Sequence, residues 1–504
     1  MTHQMEMEYQ SGINVCPQCG STELRVDVHT GKLMCAFCHT NIDEAVVGAS
    51  EHIHELSGDT ISTGAAQMEQ DTKHLVTFEC KNCHEKIVFD ANESATARCP
   101  WCRNVFVSME QIPNGKMPDL VLPFKVTKQD AVVKINEYVS KRRRYANPDF
   151  KREYDAQNVV GVYLPYMVVD INAHVKLSGI GEIGTGTHHA GSDGNGRLVY
   201  DADRYKVNRE FDIAIDDLTI EASEEKLKQD YYFNTTNVIN SVMPFDTENC
   251  VKWTPYHLTG YSMERRDIEV DNLYEPVKNQ AFDICRTKAL ETGSEYDRGV
   301  FWEDSNMKMN GTDWKFAQMP VWLYSYVEKL PETDDRGQML HYVAVNARTG
   351  KTMGSIPIYK PKLVLHNLLI GLFAWAAGIA WFVFLFHDDF ELRLGGALII
   401  AIAPEVVFYL TIRKKYRNDT ARFAHETEVR STITNLVSSD TFERKITSDK
   451  SRLAKNDLHG VNIHNTSIFD IAAEKAKKEQ EEKEAEKARR EAEKQAKKQA
   501  KKQK

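Results

Sequence analysis

Eight cysteines, paired as Cys16/Cys19, Cys35/Cys38, Cys80/Cys83 and Cys99/Cys102, are the residues whose type and spacing best suit chemistry. Each pair is C-x-x-C, and fifteen residues separate the second pair from the first in both halves, so the pattern C-x2-C-x15-C-x2-C occurs twice. Two such turns each offer two sulfurs from neighbouring backbone positions, and the hairpin between them folds one pair back onto the other. The product is a closed tetrahedral S4 site, the donor set of structural zinc. Two structural Zn2+ ions are expected, on Cys16, Cys19, Cys35 and Cys38 and on Cys80, Cys83, Cys99 and Cys102. A unit of roughly 35 residues buries too little apolar surface to hold itself, so the metal must contribute to folding. Cys250 and Cys285 stand alone and are expected to be small buried hydrophobes.

The stretch "CAFCH" also spells the attachment motif of a c-type haem. One such motif serves one haem and would leave Cys16/Cys19 and Cys99/Cys102 without a role, so zinc is preferred. His39 and His84 then stand beside the sites as bystanders, or at most as replacement ligands. In the first unit Leu24, Val26 and Val28 alternate before the turn His29-Thr30-Gly31, and Leu33 starts the return strand; in the second, Ile87 and Phe89 alternate.

Other chemistry is weaker. Gly179, Gly181 and Gly184 match G-x-G-x-x-G, but "TGTHHAGSDGNG" follows, which cannot be the helix that a pyrophosphate needs. A glycine-rich loop is expected, with His188 and His189 exposed on it. Lys141, Arg142, Arg143 and Arg144 form a basic knot at a helix end, read as a solvated terminus or as a contact for anionic lipid or nucleic acid. No catalytic residue is identified, because no acid/base or nucleophile constellation stands out, and a non-enzymatic protein is expected.

The elements that position these residues divide a chain of 504 residues, 42% apolar and 27% charged, into several domains. Net charge is −9, and residues 1–110 hold 7 basic against 16 acidic residues, which disfavours nucleic acid as a partner. The opening "MTHQMEMEYQ" lacks the basic and apolar regions of a signal peptide, so the N-terminal part is expected to stay in the cytoplasm. Leu368 to Phe386 is a nineteen-residue apolar run, and Leu394 to Ile412 is a second. Each would reach about 28 Å as a helix, close to the bilayer's hydrocarbon thickness. Glu405 inside the second would cost about 3 kcal/mol, which the other apolar residues offset. Ala374/Gly378 and Ala397/Ala401 permit close helix approach. Lys360 and Lys362 before the first span, and Arg413, Lys414, Lys415 and Arg417 after the second, outweigh Arg393 in the connection, so both termini should be cytoplasmic, at the cell membrane.

The boundaries follow: a zinc ribbon at 13–45, a linker at 46–73, a second ribbon at 74–110, an α+β cytoplasmic domain at 120–360, a transmembrane hairpin at 364–412, a linker at 416–470 and a charged helix at 471–504. In the α+β domain Lys128 to Tyr145 reads as a helix with Val132, Ile135, Tyr138 and Val139 on one face. "YLPYMVVDINAHV" and "AQMPVWLYSYVEK" share a Pro-aromatic strand pattern, which suggests two related β halves. The last segment carries Glu474/Lys478, Glu479/Lys483, Glu486/Arg490 and Glu493/Lys497 at the favourable spacing, without an apolar seam for a coiled coil.

The stretch "CPQCGSTELRVDVHTGKLMCAFCHT" resembles the ribbon of the transcription initiation factor TFIIB. The order double ribbon, "LPFKVTKQDA", "YLPYMVVD", "MPVWLYSY" and membrane hairpin resembles a group of bacterial TFIIB-type zinc-ribbon-containing membrane proteins over roughly residues 13 to 415. That resemblance implies protein partners of the SPFH-domain or phage-shock membrane-stress type. Other members resemble the zinc-binding part of a replication-restart helicase, but no G-x-x-x-x-G-K-[ST] occurs in this chain. The resulting expectation is a membrane-anchored zinc-ribbon adaptor that recruits proteins. A membrane-tethered nucleic-acid-binding protein is the alternative.

Overall fold

The computed structural model describes residues 24–26, 33–35, 41–42, 52–67, 75–90, 98–103, 109–190, 197–223, 239–258, 260–330, 337–384, 390–416 and 429–448. Three short strands, β1 (Leu24–Val26), β2 (Leu33–Cys35) and β3 (Asn41–Ile42), make an antiparallel sheet of their own, with Val26 opposite Leu33. There follow β4 (Gly58–Ile61), β5 (Leu75–Cys80), β6 (Lys86–Asp90), β7 (Met109–Ile112) and β8 (Leu120–Val121), then helices α1 (Lys128–Ser140) and α2 (Pro148–Glu153). The long strands β9 (Val160–Ala190) and β10 (Arg197–Glu221) lead through β11 (Val251–Lys252) and β12 (Ser262–Glu264) to α3 (Val270–Glu291). Strands β13 (Val300–Lys329), β14 (Gln338–Asn346) and β15 (Thr352–Gly354) precede two apolar helices, α4 (Lys360–Phe384) and α5 (Phe390–Tyr416), and β16 (Arg430–Ser448) comes last. From β4 to β16 all the strands belong to one thirteen-stranded mixed sheet.

The two Pro-aromatic segments meet at the centre of that sheet. Strands β9 and β13 run antiparallel with Leu164 opposite Met319, Tyr163 opposite Pro320 and Pro165 opposite Gln318, an arrangement with local two-fold symmetry. The symmetry extends outward: β12 lies parallel to β9 at Val162 and Tyr163, and β8 lies parallel to β13 at Ala317 and Gln318. Just past these contacts each long strand changes partner, β9 to β10 from Tyr166 and β13 to β14 from Val321. Pro165 and Pro320 sit at the changeover, where a residue without an N–H removes no ladder bond. Their carbonyls accept from Ala222 N (2.9 Å) and Ala347 N (3.1 Å). Each half is thus a short strand, a helix and a long hairpin, and each short strand pairs with the other half's long strand.

Helix α1 starts at Thr127, whose hydroxyl caps Asp130 N at 3.2 Å, and buries Ala131, Val132, Ile135 and Val139 against the β13–β14 side. It is shorter than the expected 128–145, because a separate turn covers Arg143–Tyr145 and Asn147 caps α2. Helix α3 buries Leu273, Val277, Ala281 and Cys285 with Phe211, Ile213 and Trp314 of β10 and β13.

Three expectations need correction. The glycine-rich segment is no loop: Gly179, Gly181 and Gly184 lie within β9, and the backbones of His188 and His189 pair with Val199 and Leu198. The glycines make room instead, since a Cβ on Gly179 would strike the Phe301 carbonyl and one on Gly181 would come within 2.6 Å of the Tyr296 ring. The 46–73 segment contributes β4, paired with β13 at Gly311 to Trp314. The 416–470 segment, read as a linker, contains β16, which pairs with β10 nearly end to end. The charged helix at 471–504 lies outside the described residues.

A buried cation fastens β16. Arg209 of β10 has a side chain only 1% exposed, and its Nη2 reaches Asp440 Oδ2 at 3.0 Å and Glu295 Oε1 at 3.2 Å. The Tyr296 hydroxyl also donates to Asp440, at 2.8 Å. Burial pushes the Asp440 carboxyl up, yet the bonds from Arg209 and Tyr296 prevail and hold it below its usual range. Asp440→Ala would strand Arg209 beside a half-exposed partner, a change of about 3 kcal/mol for a broken buried pair. Hydrogen exchange should show residues 430–448 losing protection while β9 and β13 keep theirs.

Helices α4 and α5 project from this body as an antiparallel hairpin. Lys360–Val383 and Leu394–Ile412 are each long and apolar enough to cross a membrane, and little of either is buried (17% and 11%). Leu372, Phe373, Ile379, Ile399 and Val407 are exposed, so neither helix is the covered core helix of a soluble protein. The inner seam uses the small residues: Gly371, Ala374 and Gly378 of α4 and Ala401 of α5 are buried, and Gly378 faces Ala397 and Ala401. Glu405 packs against Gly371, whose missing Cβ leaves the space its carboxylate fills.

Candidate metal centre

Strands β5 and β6 form a hairpin whose turn carries Cys80 and Cys83, with Phe78 opposite Ile87 and Thr77 opposite Val88, and β6 leads on to Cys99 and Cys102. At each C-x-x-C turn the residue after the second cysteine takes a left-handed conformation, His84 with φ 60° and Arg103 with φ 63°. In both turns its amide donates back to the first cysteine's carbonyl, His84 N to Cys80 O at 2.7 Å and Arg103 N to Cys99 O at 2.8 Å. The two knuckles are therefore built alike. A left-handed turn on a non-glycine residue is uncommon, and here it tucks both sulfurs of each pair to one side.

The four sulfurs converge. Cys80 Sγ lies 3.4 Å from Cys102 Sγ, and Cys83 Sγ lies 3.5 Å from Cys99 Sγ. All four ligand atoms fall within 4.8 Å of one another. Disulfides would need about 2.05 Å, whereas a tetrahedron of about 2.3 Å metal–sulfur bonds sets sulfurs about 3.8 Å apart. Cys80 and Cys99 are buried, Cys83 and Cys102 partly so. Hydrogen bonds from Cys102, then Cys83 and Cys99, favour a thiolate on Cys80, while Cys102, then Cys80 and Cys99, together with burial, push Cys83 up. If all four were thiolates this close, they would need a cation between them. The group can hold one metal ion. His84 is no ligand: its ring is exposed and faces Glu79 Oε1 at 3.3 Å.

This unit is not a free-standing bead. Val88 and Ile87 pair with Met263 and Glu264 of β12, and β7 closes the other edge of β5. Trp101, fully buried in the second knuckle, meets the Tyr342 ring edge-on at 5.2 Å. Ser325 Oγ donates to Pro100 O at 2.7 Å. The expected boundary between 74–110 and the α+β domain therefore disappears into a shared core that also includes Val162, Leu323 and Tyr342.

Of the first unit, β2 ends at Cys35; the side chain of Cys35, and Cys16, Cys19, Cys38 and His39, lie outside the described residues. Cys250 and Cys285 are fully buried, as expected of lone cysteines, and burial pushes the Cys285 thiol up to about 12.

A second group escaped the sequence reading. Asp170 of β9 and Asp216 and Asp217 of β10 bring three carboxylates within 4.8 Å of one another. A register break after Ile215 gives Asp217 a φ of 58° and turns its amide to Asp170 Oδ1 at 2.9 Å. The signal was present in "IAIDDLTI", where two adjacent acids interrupt the alternation of a strand. Lys315 approaches Asp170 at 3.3 Å, and Arg430 of β16 bridges Asp216 (2.9 Å) and Asp217 (3.0 Å) beside a cavity of about 240 Å³. Burial pushes the Asp217 carboxyl up to about 6, opposed by the Thr247 hydroxyl at 2.7 Å.

No family model matches this chain, and no solved structure matches it. It is similar to "Uncharacterized protein YdjG" of Bacillus subtilis (strain 168), with 21% identity over 381 residues that cover 76% of this chain and 98% of that protein.

Two outcomes follow. Cys99→Ser should remove one bound metal ion per chain in elemental analysis and lower the melting temperature in detergent, since structural S4 sites supply on the order of 10 kcal/mol to the folds they close. For Asp217, a folded pKa above the unfolded value means a stability contribution that is fully present below about pH 4 and lost as pH rises through about 6. Asp217→Asn should abolish that part of the pH dependence in thermal melts.

Proposed function

We propose that the protein is a membrane-anchored cytoplasmic scaffold whose structural zinc sites shape a surface for protein partners. The observation that carries the reading is the pair of apolar helices with uncovered faces, rising from a body into which a four-cysteine group is built. An all-thiolate tetrahedral donor set favours zinc, which closes such sites without redox chemistry. Thiolates survive in a reducing compartment, which supports the cytoplasmic side for the body. The same side follows from Lys360, Lys362 and Lys415 at the hairpin's body-proximal ends. Strand β16 follows α5 and pairs with β10, which supports one side for the chain before and after the hairpin.

Protein partners suit a body with an acidic N-terminal segment better than nucleic acid does, because phosphate backbones are held by basic surfaces. The first cysteine unit is the segment we assign to recruitment, with SPFH-domain or phage-shock-type proteins as partners. The second cysteine unit is consumed by the core. Full-length protein should resist carbonate extraction from membranes. In mild detergent it should shift neither DNA nor RNA at low salt, and it should capture an SPFH-domain protein only when residues 13–45 are present. Tight, salt-dependent nucleic-acid binding would replace the scaffold with the nucleic-acid-binding alternative.

A further inference from the structure

The basic knot at 141–144, distant in sequence from the hairpin, is brought against it. Lys362 Nζ donates to Arg144 O at 3.0 Å, and Arg142 Nε donates to Lys415 O at 2.8 Å. The Tyr416 hydroxyl donates to Arg142 O and accepts from Tyr145 N at 3.1 Å, and the Tyr145 hydroxyl lies 2.9 Å from His366 Nδ1. These bonds tie the turn after α1 to the start of α4 and the end of α5. Arg142 is spent in the tie, lying 3.4 Å over the Tyr138 ring.

The other cations are left facing out. Lys141, Arg143, Arg144, Lys360 and Lys415 are exposed, and among the described residues no ion pair joins them to a carboxylate. Lys151 stands close to the same group: burial first, then Lys362 and Arg143, push its ammonium below its usual range. Immediately beyond this ring α4 exposes Val364, Leu365 and Leu368. Positive charge therefore ends where exposed hydrocarbon begins, around both helices at once.

We propose that Arg143 and Arg144, with Lys141, Lys360 and Lys415, bind the phosphate headgroups of anionic phospholipids in the leaflet where α4 begins and α5 ends. The inference rests on the reading that the hairpin crosses a membrane. Lipid is favoured over free phosphate or nucleic acid because the cations border an apolar belt, which only a molecule with both a phosphate and acyl chains can cover. Arg143 and Arg144 supply planar guanidinium forks for phosphate oxygens.

The test uses full-length protein reconstituted in nanodiscs of phosphatidylcholine mixed with phosphatidylglycerol, then released into detergent for native mass spectrometry of retained lipid. Wild type should keep phosphatidylglycerol in preference to phosphatidylcholine, and Arg143→Gln/Arg144→Gln should lower that preference about tenfold, given the strength of single basic residues at an anionic surface. Arg143→Lys/Arg144→Lys should keep most of it. Equal retention of both lipids by wild type, or an unchanged preference in the glutamine variant, overturns the proposal. Carbonate extraction of wild type separates the two levels: release from membranes defeats the spanning hairpin, whereas a retained protein without lipid preference defeats only the collar.

Discussion

The pairing of β9 with β13 is the constraint on which the rest of the molecule depends. Leu164 and Met319 face each other near one end of the ladder, and on its outer edge each strand takes up a further partner just beyond, β10 beside β9 and β14 beside β13. Every later element takes its place from that antiparallel ladder. Helix α1 covers one flank and α3 the other, β12 and β8 fill the positions that Pro165 and Pro320 vacate, and the cysteine hairpin adds to β12. The exchange of short strands between halves means that neither half is complete without the other, so the sheet is expected to fold as one cooperative unit.

The metal group gains its character from this connection. A free-standing ribbon would couple its ion only to its own short hairpin. Here Trp101 and Pro100 lie in the same core as Ser325 and Tyr342, so ordering the knuckles also orders the central sheet. An ion held by the Cys80–Cys102 group would therefore couple its occupancy to the stability of the domain.

Buried charge does the corresponding work at the opposite edge. Arg209 and Asp440, and Arg430 with Asp216 and Asp217, tie a strand from beyond the apolar hairpin back to β10. Such pairs add little net stability compared with apolar packing, but breaking one is costly because a charge is left buried. They therefore specify where β16 lies more than they strengthen the whole. With α4 and α5 clamped at Tyr145 and Arg142, the hairpin is held at both ends by one body.

Much was legible in the residues themselves, where the information is local. The C-x-x-C spacing announced the Cys80–Cys102 group because four thiolates at that separation have one efficient use, and nineteen apolar residues announced each long apolar helix because hydropathy needs no partner. The repeated Pro-aromatic strands were also visible, since alternation is a property of a single strand. What the tertiary structure decided was non-local pairing. The glycines of "GIGEIG" could be recognised as small but not as spaces for Phe301 and Tyr296, and "TITNLV" of β16 had no visible partner because β10 lies more than two hundred residues away. Asp170, Asp216 and Asp217 became one group only through a break in register. A chain pattern reports which groups can make bonds, but the burial and distance that select their partners exist only once the sheet has closed.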